Sequence, residues 1–97
     1  MTGAVDLAAM AHDAVPPRVL ARLTAARNAL VVSHENPDAD TLGANLGVCA
    51  ILEACGARAT AVSTDPVPPL YGFIAGVERF RTDPDPAETC DLLILVD

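Results

Sequence analysis

The sequence predicts an α/β fold with an open, mostly parallel, doubly wound sheet. Three short apolar runs, at residues 29–33, 59–63 and 92–96, have the length and composition of buried strands. Helical patterns and turn signals separate these runs, and the alternation of helix and strand is typical of parallel sheets. We expect strand 29–33 to lie between the other two, because right-handed crossovers and the doubly wound order both lead to that arrangement.

The first helix is predicted over residues 16–27, where two prolines suit the first turn and apolar residues recur on one side. The continuously apolar run Ala29–Ser33 follows as a strand that is buried on both faces. Residues 34–39 form a loop, because the residue before Pro37 avoids the α region.

The second helix is predicted to begin with Asp40 or Thr41 as its cap and to end near Cys55. Gly56 then provides a left-handed C-terminal residue. Residues 70–75 are expected to form one short helical turn. The inward side of the second helix is expected to hold five residues: Leu42, Leu46, Cys49, Ala50 and Leu52.

The run at 92–96 is the most apolar in the chain and is expected to be a central strand, buried on both faces. Asp97 follows it directly. A central strand is normally followed by a crossover helix, and three strands alone leave an edge unprotected. We therefore interpret residues 1–97 as the N-terminal part of a larger domain, and we expect the isolated chain to be inactive.

Composition and charge restrict the partners. Thirteen acidic residues against six basic ones give a net charge of −7, and the basic residues are scattered, so we expect no binding of duplex nucleic acid. No apolar run is long enough to span a membrane, and no basic region introduces a secretory signal. Three cysteines without zinc-binding spacing then indicate reduced thiols in the cytoplasm. Several acidic residues are interpreted as solvated surface: Glu35, Asp83, Asp85, Glu88 and Asp91.

The side chains with the clearest chemical potential follow the first predicted strand. His34, Asp38 and Asp40 place one imidazole and two carboxylates within seven residues, at the sheet edge where open α/β folds bind ligands. Each has an ordinary role on its own, as a strand-end histidine, a turn residue or a helix cap, but the cluster favours a metal. The donors suit a divalent ion, with Mn²⁺ favoured over Mg²⁺. Gly43 either lets a phosphate approach the helix or packs tightly on the strand.

The loop carries a family resemblance. One segment resembles the first motif of the DHH phosphoesterases: His34-x-x-Pro37-Asp38-x-Asp40-x-x-Gly43. In the implied fold, this motif lies between a buried strand and a helix N-terminus.

Two later segments extend the resemblance. The apolar strand 92–96 closing on Asp97 is similar to the family's second motif. Residues 70–77 resemble the intervening segment of the branch that degrades short oligoribonucleotides and 3′-phosphoadenosine 5′-phosphate. Ala44 departs from the serine that is usual after the glycine. The Asp-His-His motif and the C-terminal substrate-binding domain are absent from the printed sequence.

The resemblance implies a two-metal hydrolase. His34 and Asp38 would hold one ion, Asp40 the second, and Asp97 would bridge both, which makes the three aspartates catalytic. Ions about 3.5–4 Å apart share a water, lower its pKa and clamp the phosphoryl oxygens during in-line attack. The implied substrate is a short oligonucleotide or a nucleotide phosphate, and a homodimer fits the full enzyme. Asp97 should therefore enter the same crevice as the other ligands, where we expect like-charge repulsion to raise at least one carboxyl pKa.

Two alternatives stay open. A signalling receiver domain also gathers acidic residues and a divalent ion at its strand ends, with Asp97 as the phosphoacceptor. His34 and Pro37 argue against it, because a receiver has adjacent acids at that point and no histidine ligand. The other alternative is a non-catalytic fragment.

Overall fold

The computed structural model describes residues 14–83 and 89–96. None of the helices in these two ranges combines the length and the apolar character that crossing a bilayer requires. The elements in chain order are helix α1 (Pro17–Ala25), strand β1 (Asn28–Ser33), helix α2 (Ala39–Ala54), strand β2 (Arg58–Ser63), two 3₁₀ turns (Pro69–Tyr71 and Val77–Arg79) and strand β3 (Leu92–Val96).

The three strands form one parallel sheet in the order β2-β1-β3. Ala29 of β1 lies opposite Ala59 on one side and Leu92 on the other. The predicted α/β class and the central position of the first strand are therefore confirmed. Since the chain leaves β1 for β2 on one side and later returns to β3 on the other, the switch point lies between β1 and β3.

The core lies between the sheet and helix α2, which packs on β1 and β2. Val31 of the sheet is fully buried, as are Cys49 and Leu52 of the helix. Small residues of β2, Ala59 and Ala61, face this cluster and allow the helix to approach closely. Burial of this apolar surface stabilises the packing of helix on sheet.

The inward side of α2 differs in part from the prediction. Leu42, Cys49 and Leu52 are buried and Leu46 is partly buried, but Ala50 is exposed. The buried stripe follows helical spacing from Leu42 to Cys49, and a position next to Cys49 is rotated by about 100° from it. The place between them on the stripe is taken by a polar residue, Asn45, which is fully buried.

Both ends of α2 are fixed by local chemistry. The prediction of Asp40 or Thr41 as the cap is wrong, because Asp38 is the N-cap and accepts a hydrogen bond from the Thr41 backbone N–H. An N-cap side chain bonds the N–H two or three residues later, and Thr41 is three residues after Asp38. Asp40 and Thr41 lie inside the first turn of the helix instead. At the other end, Gly56 has φ +94°, so the predicted left-handed residue is confirmed.

Strand β3 is not the doubly buried central strand that its composition predicts. It lies at the edge of the described sheet, and its residues alternate between half-buried and exposed. Leu93 and Leu95 are 56% and 75% exposed, because no described element covers that face. Leu92 and Ile94 face the core instead.

Asp91 ties the start of β1 to the start of β3. Its carboxylate accepts hydrogen bonds from the backbone N–H groups of Arg27 at 2.9 Å and Asn28 at 3.0 Å. Its own N–H donates to the Asn28 carbonyl at 3.0 Å. Asp91 is exposed, as its interpretation as solvated surface expects, but its side chain also satisfies two backbone donors at the sheet edge.

The segment after β2 returns to the outer edge of that strand, where Arg81 forms an isolated parallel bridge with Val62. The single turn predicted at 70–75 is replaced by the two 3₁₀ turns on either side of Gly76, which has φ +88°. Arg79 binds both carboxylate oxygens of Glu53 on α2, at 2.8 and 3.1 Å, and also donates to the Ala59 carbonyl. This bidentate contact fastens the segment to both the helix and the sheet.

Candidate functional site

An open crevice lies at the switch point, where β1 and β3 end side by side. Its volume is about 360 Å³, and its walls are Val32, Ser33 and His34 on one side and Leu95 and Val96 on the other. Parallel strands bring their carboxyl ends to one edge, and ligands of open α/β sheets bind there. Of the predicted site residues, His34 contributes directly to this crevice.

His34 is the first residue after β1, and its ring is held by two contacts. Nδ1 lies 2.5 Å from the carbonyl oxygen of Glu35, and since a carbonyl only accepts, Nδ1 carries the hydrogen. In the neutral ring the lone pair is then on Nε2, which lies 3.0 Å from the Thr41 hydroxyl oxygen. Histidine ligands of metals are commonly oriented in this way, with the other ring N–H on a carbonyl.

Asp38 lies next to this histidine at the N-terminus of α2. Its Oδ1 accepts the Thr41 backbone N–H at 2.8 Å. That N–H, followed by the Thr41 hydroxyl, holds the pKa of Asp38 below its usual value, and the charge of His34 acts in the same direction. Asp38 is therefore ionised at neutral pH. The expected rise in carboxyl pKa from like-charged neighbours is not found at this residue.

Thr41 joins the two predicted ligands, and the sequence analysis missed it in this role. Its hydroxyl contacts His34, its backbone N–H donates to Asp38, and the residue is only 2% exposed. The signal was available in the sequence, because Thr41 is three residues after Asp38 and an N-cap binds the amide at that spacing.

Asp40 and Gly43 lie on the open side of α2. Asp40 is exposed in the first helical turn, and its side chain makes no hydrogen bond or ion pair with a described residue. A Cβ added to Gly43 would meet no described atom within 4 Å. The interpretation of Gly43 as a tight packing contact is therefore wrong. The alternative, that a phosphate approaches the helix at Gly43, stays a prediction.

The structure brings together part of the predicted ligand set. Across 14–83 and 89–96, no three side chains of His, Cys, Asp or Glu are grouped so that they could hold a metal ion. His34 and Asp38 are connected through Thr41, whereas the Asp40 side chain is hydrogen-bonded to neither of them. Asp97 lies outside the described residues, so its bridging role stays a prediction.

A buried polar network fixes α2 against the end of β1. Asn45 Nδ2 donates to the Val31 carbonyl and to the Ser33 hydroxyl, both at 2.8 Å. The Cys49 thiol donates to Asn45 Oδ1 at 3.5 Å. Because these bonds join α2 to the last residues of β1, they set how the helix packs on the strand just before His34. An asparagine on the apolar stripe of a helix was the signal for such a role.

The loop after β1 is also anchored to the loop after β2. The Asn36 backbone N–H donates to Asp65 Oδ2 at 2.8 Å, and Asn36 has φ +51°, a conformation that asparagine tolerates well. The Ser63 hydroxyl donates to the Asp65 carbonyl at 2.6 Å. Asp65 therefore limits the movement of the loop that contains His34 and Asp38.

Comparison with known proteins assigns no family to the chain. No protein-family model matches it, and no curated protein or solved structure does. The functional assignment therefore depends on the geometry around Thr41 and on the residue pattern from His34 to Gly43.

Proposed function

We propose that this chain is part of a metal-dependent phosphoesterase of the DHH family, in which His34 and Asp38 hold one divalent ion. One observation carries the proposal: these two side chains meet at Thr41, at the carboxyl end of β1 and beside the switch-point crevice. The residue pattern of the loop supports the family. The proposed substrates are short oligonucleotides or nucleotide phosphates.

The chemistry of the two donors fits a divalent ion. An imidazole nitrogen and a carboxylate oxygen together suit Mn²⁺, and Mg²⁺ is the alternative. Ions of this kind often keep several waters and need few protein ligands. The lowered pKa of Asp38 means that a proton does not compete for its oxygens at neutral pH. Asp40 and Asp97 are the proposed ligands of the second ion, with Asp97 shared.

The chain's own residues prepare the site in three ways. The Glu35 carbonyl keeps the hydrogen of His34 on Nδ1 and leaves the Nε2 lone pair for a ligand. Asp38 stays ionised, and the N-terminus of α2 near Gly43 favours an anion such as a phosphate. A metal pair bound here would supply an activated water and stabilise charge on the phosphoryl oxygens.

Binding of Mn²⁺, followed by calorimetry or by the electron paramagnetic resonance of the free ion, tests the metal assignment. We expect His34→Gln and Asp38→Asn each to weaken binding by on the order of tenfold or more, since each removes a ligand. Asn also serves well as an N-cap, so Asp38→Asn keeps the helix start while it removes the charge. Glu35→Gln is the matched control. Wild-type affinity in both ligand variants would contradict the assignment.

Hydrolysis tests the reaction class. In the larger enzyme of which the chain is proposed to be part, Asp40→Asn should abolish Mn²⁺-dependent turnover of a short oligoribonucleotide or a nucleotide 3′-phosphate, because the second ion loses a ligand. The thermal unfolding midpoint should stay close to that of the wild type, since Asp40 is exposed and makes no described contact. Turnover close to the wild-type rate would rule out the proposed role of Asp40.

A receiver domain is the second candidate, because the strand order β2-β1-β3 also occurs in that class. His34 next to the Asp38 cap favours the metal hydrolase over it. Incubation with a small phosphodonor separates the two, since a receiver would form an acyl phosphate on Asp97 and a hydrolase would not.

A further inference from the structure

We propose that Asp65 is a positioning residue for the loop that carries His34 and Asp38, and that it sets how tightly this loop binds a divalent ion. This rests on the proposed function, which assigns His34 and Asp38 as ligands. It goes beyond that function because Asp65 is assigned no contact with the ion and acts through the peptide group between Glu35 and Asn36.

The peptide group between Glu35 and Asn36 connects Asp65 to His34. Its N–H, on the Asn36 side, donates to Asp65 Oδ2 at 2.8 Å. Its carbonyl oxygen, on the Glu35 side, lies 2.5 Å from His34 Nδ1. Because a peptide group is planar, the bond to Asp65 fixes the direction of that carbonyl and, with it, the place where the His34 ring lies.

Asn36 transmits the same constraint to Asp38. It has φ +51°, in the left-handed region, which asparagine adopts more readily than most residues but which persists only where contacts hold it. The next residue is Pro37, which is buried and whose ring fixes its φ at about −65°. Since one stiff residue separates Asn36 from Asp38, a release of Asn36 changes the position of Asp38 and is not absorbed between them.

Asp65 lies on a part of the chain that is itself held. Two residues before it, Ser63 is the last residue of β2, is fully buried and lies opposite Ser33 in the sheet. The Ser63 hydroxyl donates to the Asp65 carbonyl at 2.6 Å, and the Ser63 N–H donates to the Arg81 carbonyl at 2.9 Å. Because Ser33 directly precedes His34, the bond from Asp65 joins two loops that leave neighbouring strands side by side.

The size of the effect follows from how often the loop is in its binding conformation. The apparent metal affinity falls in proportion to the fraction of chains in that conformation. A hydrogen bond to a charged acceptor contributes about tenfold or more to such an equilibrium. Loss of a residue that orients a metal-binding histidine commonly weakens binding by about 10- to 100-fold. Since Asp65 acts through an intervening peptide group, we expect the lower end of that range.

Asp65→Asn and Asp65→Ala are the matched test pair, since the amide oxygen of asparagine still accepts the Asn36 N–H and alanine offers no acceptor. In a Mn²⁺ titration of the full chain we expect Asp65→Ala to bind about tenfold more weakly and Asp65→Asn to bind like the wild type. Asp83→Ala, which removes one exposed acidic side chain elsewhere, is the control for the change in net charge. Should Asp65→Ala fail to fold by circular dichroism, Asp65→Val replaces it.

Wild-type affinity in Asp65→Ala would overturn the proposal, because the loop would then be positioned without Asp65. Equal weakening in Asp65→Asn and Asp65→Ala would overturn it as well, since the charge of Asp65 and not its contact with Asn36 would then determine the affinity. In both cases only the role of Asp65 fails. If the wild-type chain itself binds no Mn²⁺, the proposed function fails together with the proposal.

Amide hydrogen exchange of the metal-free chain gives an independent measurement. We expect the Asn36 N–H to exchange about tenfold faster in Asp65→Ala than in the wild type, and at the wild-type rate in Asp65→Asn. A role of Asp65 in global stability alone would lower the urea midpoint and leave the Mn²⁺ affinity of the folded chain unchanged. Unchanged exchange of the Asn36 N–H in Asp65→Ala would overturn the proposal.

Discussion

At the residue scale, Asp91 shows how an exposed carboxylate can stabilise a sheet. From a position just before β3, it accepts the N–H groups of Arg27, which precedes β1, and of Asn28, the first residue of β1. These bonds lower the pKa of Asp91, the Asn28 amide contributing most. A charge pattern alone cannot reveal this, because the two partners are far apart in sequence and meet only when the sheet has formed.

The pH dependence of stability tests this role. A carboxyl whose pKa is lowered by folding stabilises the folded state above its unfolded pKa of about 3.9, and the effect is lost as pH falls through the lower folded pKa. We expect Asp91→Asn to lower the urea midpoint at neutral pH and to converge with the wild type in strong acid. Asp83→Asn, at an exposed position, is the control. Identical midpoints at neutral pH would show that the charge of Asp91 adds nothing to its two side-chain contacts.

The cysteines differ at the same scale. All three are free, with Cys49 buried in the core and Cys90 exposed. Burial raises the pKa of the Cys49 thiol, so less of it is thiolate, the reactive form. We expect a thiol reagent to modify Cys90 first and Cys49 only on unfolding, as mass spectrometry of timed samples would show. Early modification of Cys49 would mean that the α2–sheet core opens readily.

At the scale of elements, the contact between α2 and β1 depends on Asn45. We expect Asn45→Leu to lower the free energy of unfolding by about 1–3 kcal/mol, because the buried Ser33 hydroxyl loses its partner. Gly47→Ala on the exposed side of the same helix should instead raise it by about 0.5–1 kcal/mol. Urea unfolding measures both. A neutral effect of Asn45→Leu would mean that packing alone positions the helix.

The local sequence predicted the type of each long element, because apolar periodicity and Gly56 act over a few residues. Prediction from the local sequence failed where a tertiary contact determines which side chains are buried. Ala50 was placed inward on hydrophobicity, whereas the helix turns Asn45 toward the sheet because Val31 and Ser33 provide hydrogen-bond partners. The composition of β3 predicted burial on both faces, yet Leu95 is exposed, since composition does not tell which neighbours a strand has.

At the scale of the whole molecule, topology determines what the site can be. The order β2-β1-β3 places the ends of β1 and β3 together, so His34 and Val96 line one crevice although they are far apart in sequence. The strand order expected from the sequence made this predictable. The linkage of His34 to Asp38 was not predictable from the strand order. It passes through the hydroxyl and the backbone N–H of Thr41, and it depends on the N-terminus of α2 lying beside the end of β1.

The most direct measurement of the metal site is paramagnetic broadening by substoichiometric Mn²⁺ in the ¹⁵N–¹H spectrum of the chain, with diamagnetic Mg²⁺ as the control. The proposed site predicts that the amides of residues 34–36, of residues 38–42 and of Val96 broaden first, since these residues surround His34 and Asp38. For an acidic chain with a net charge of −7, diffuse binding is the competing outcome. Broadening centred on Asp83 and Asp91, or spread evenly over the surface, would contradict a metal site at the switch point.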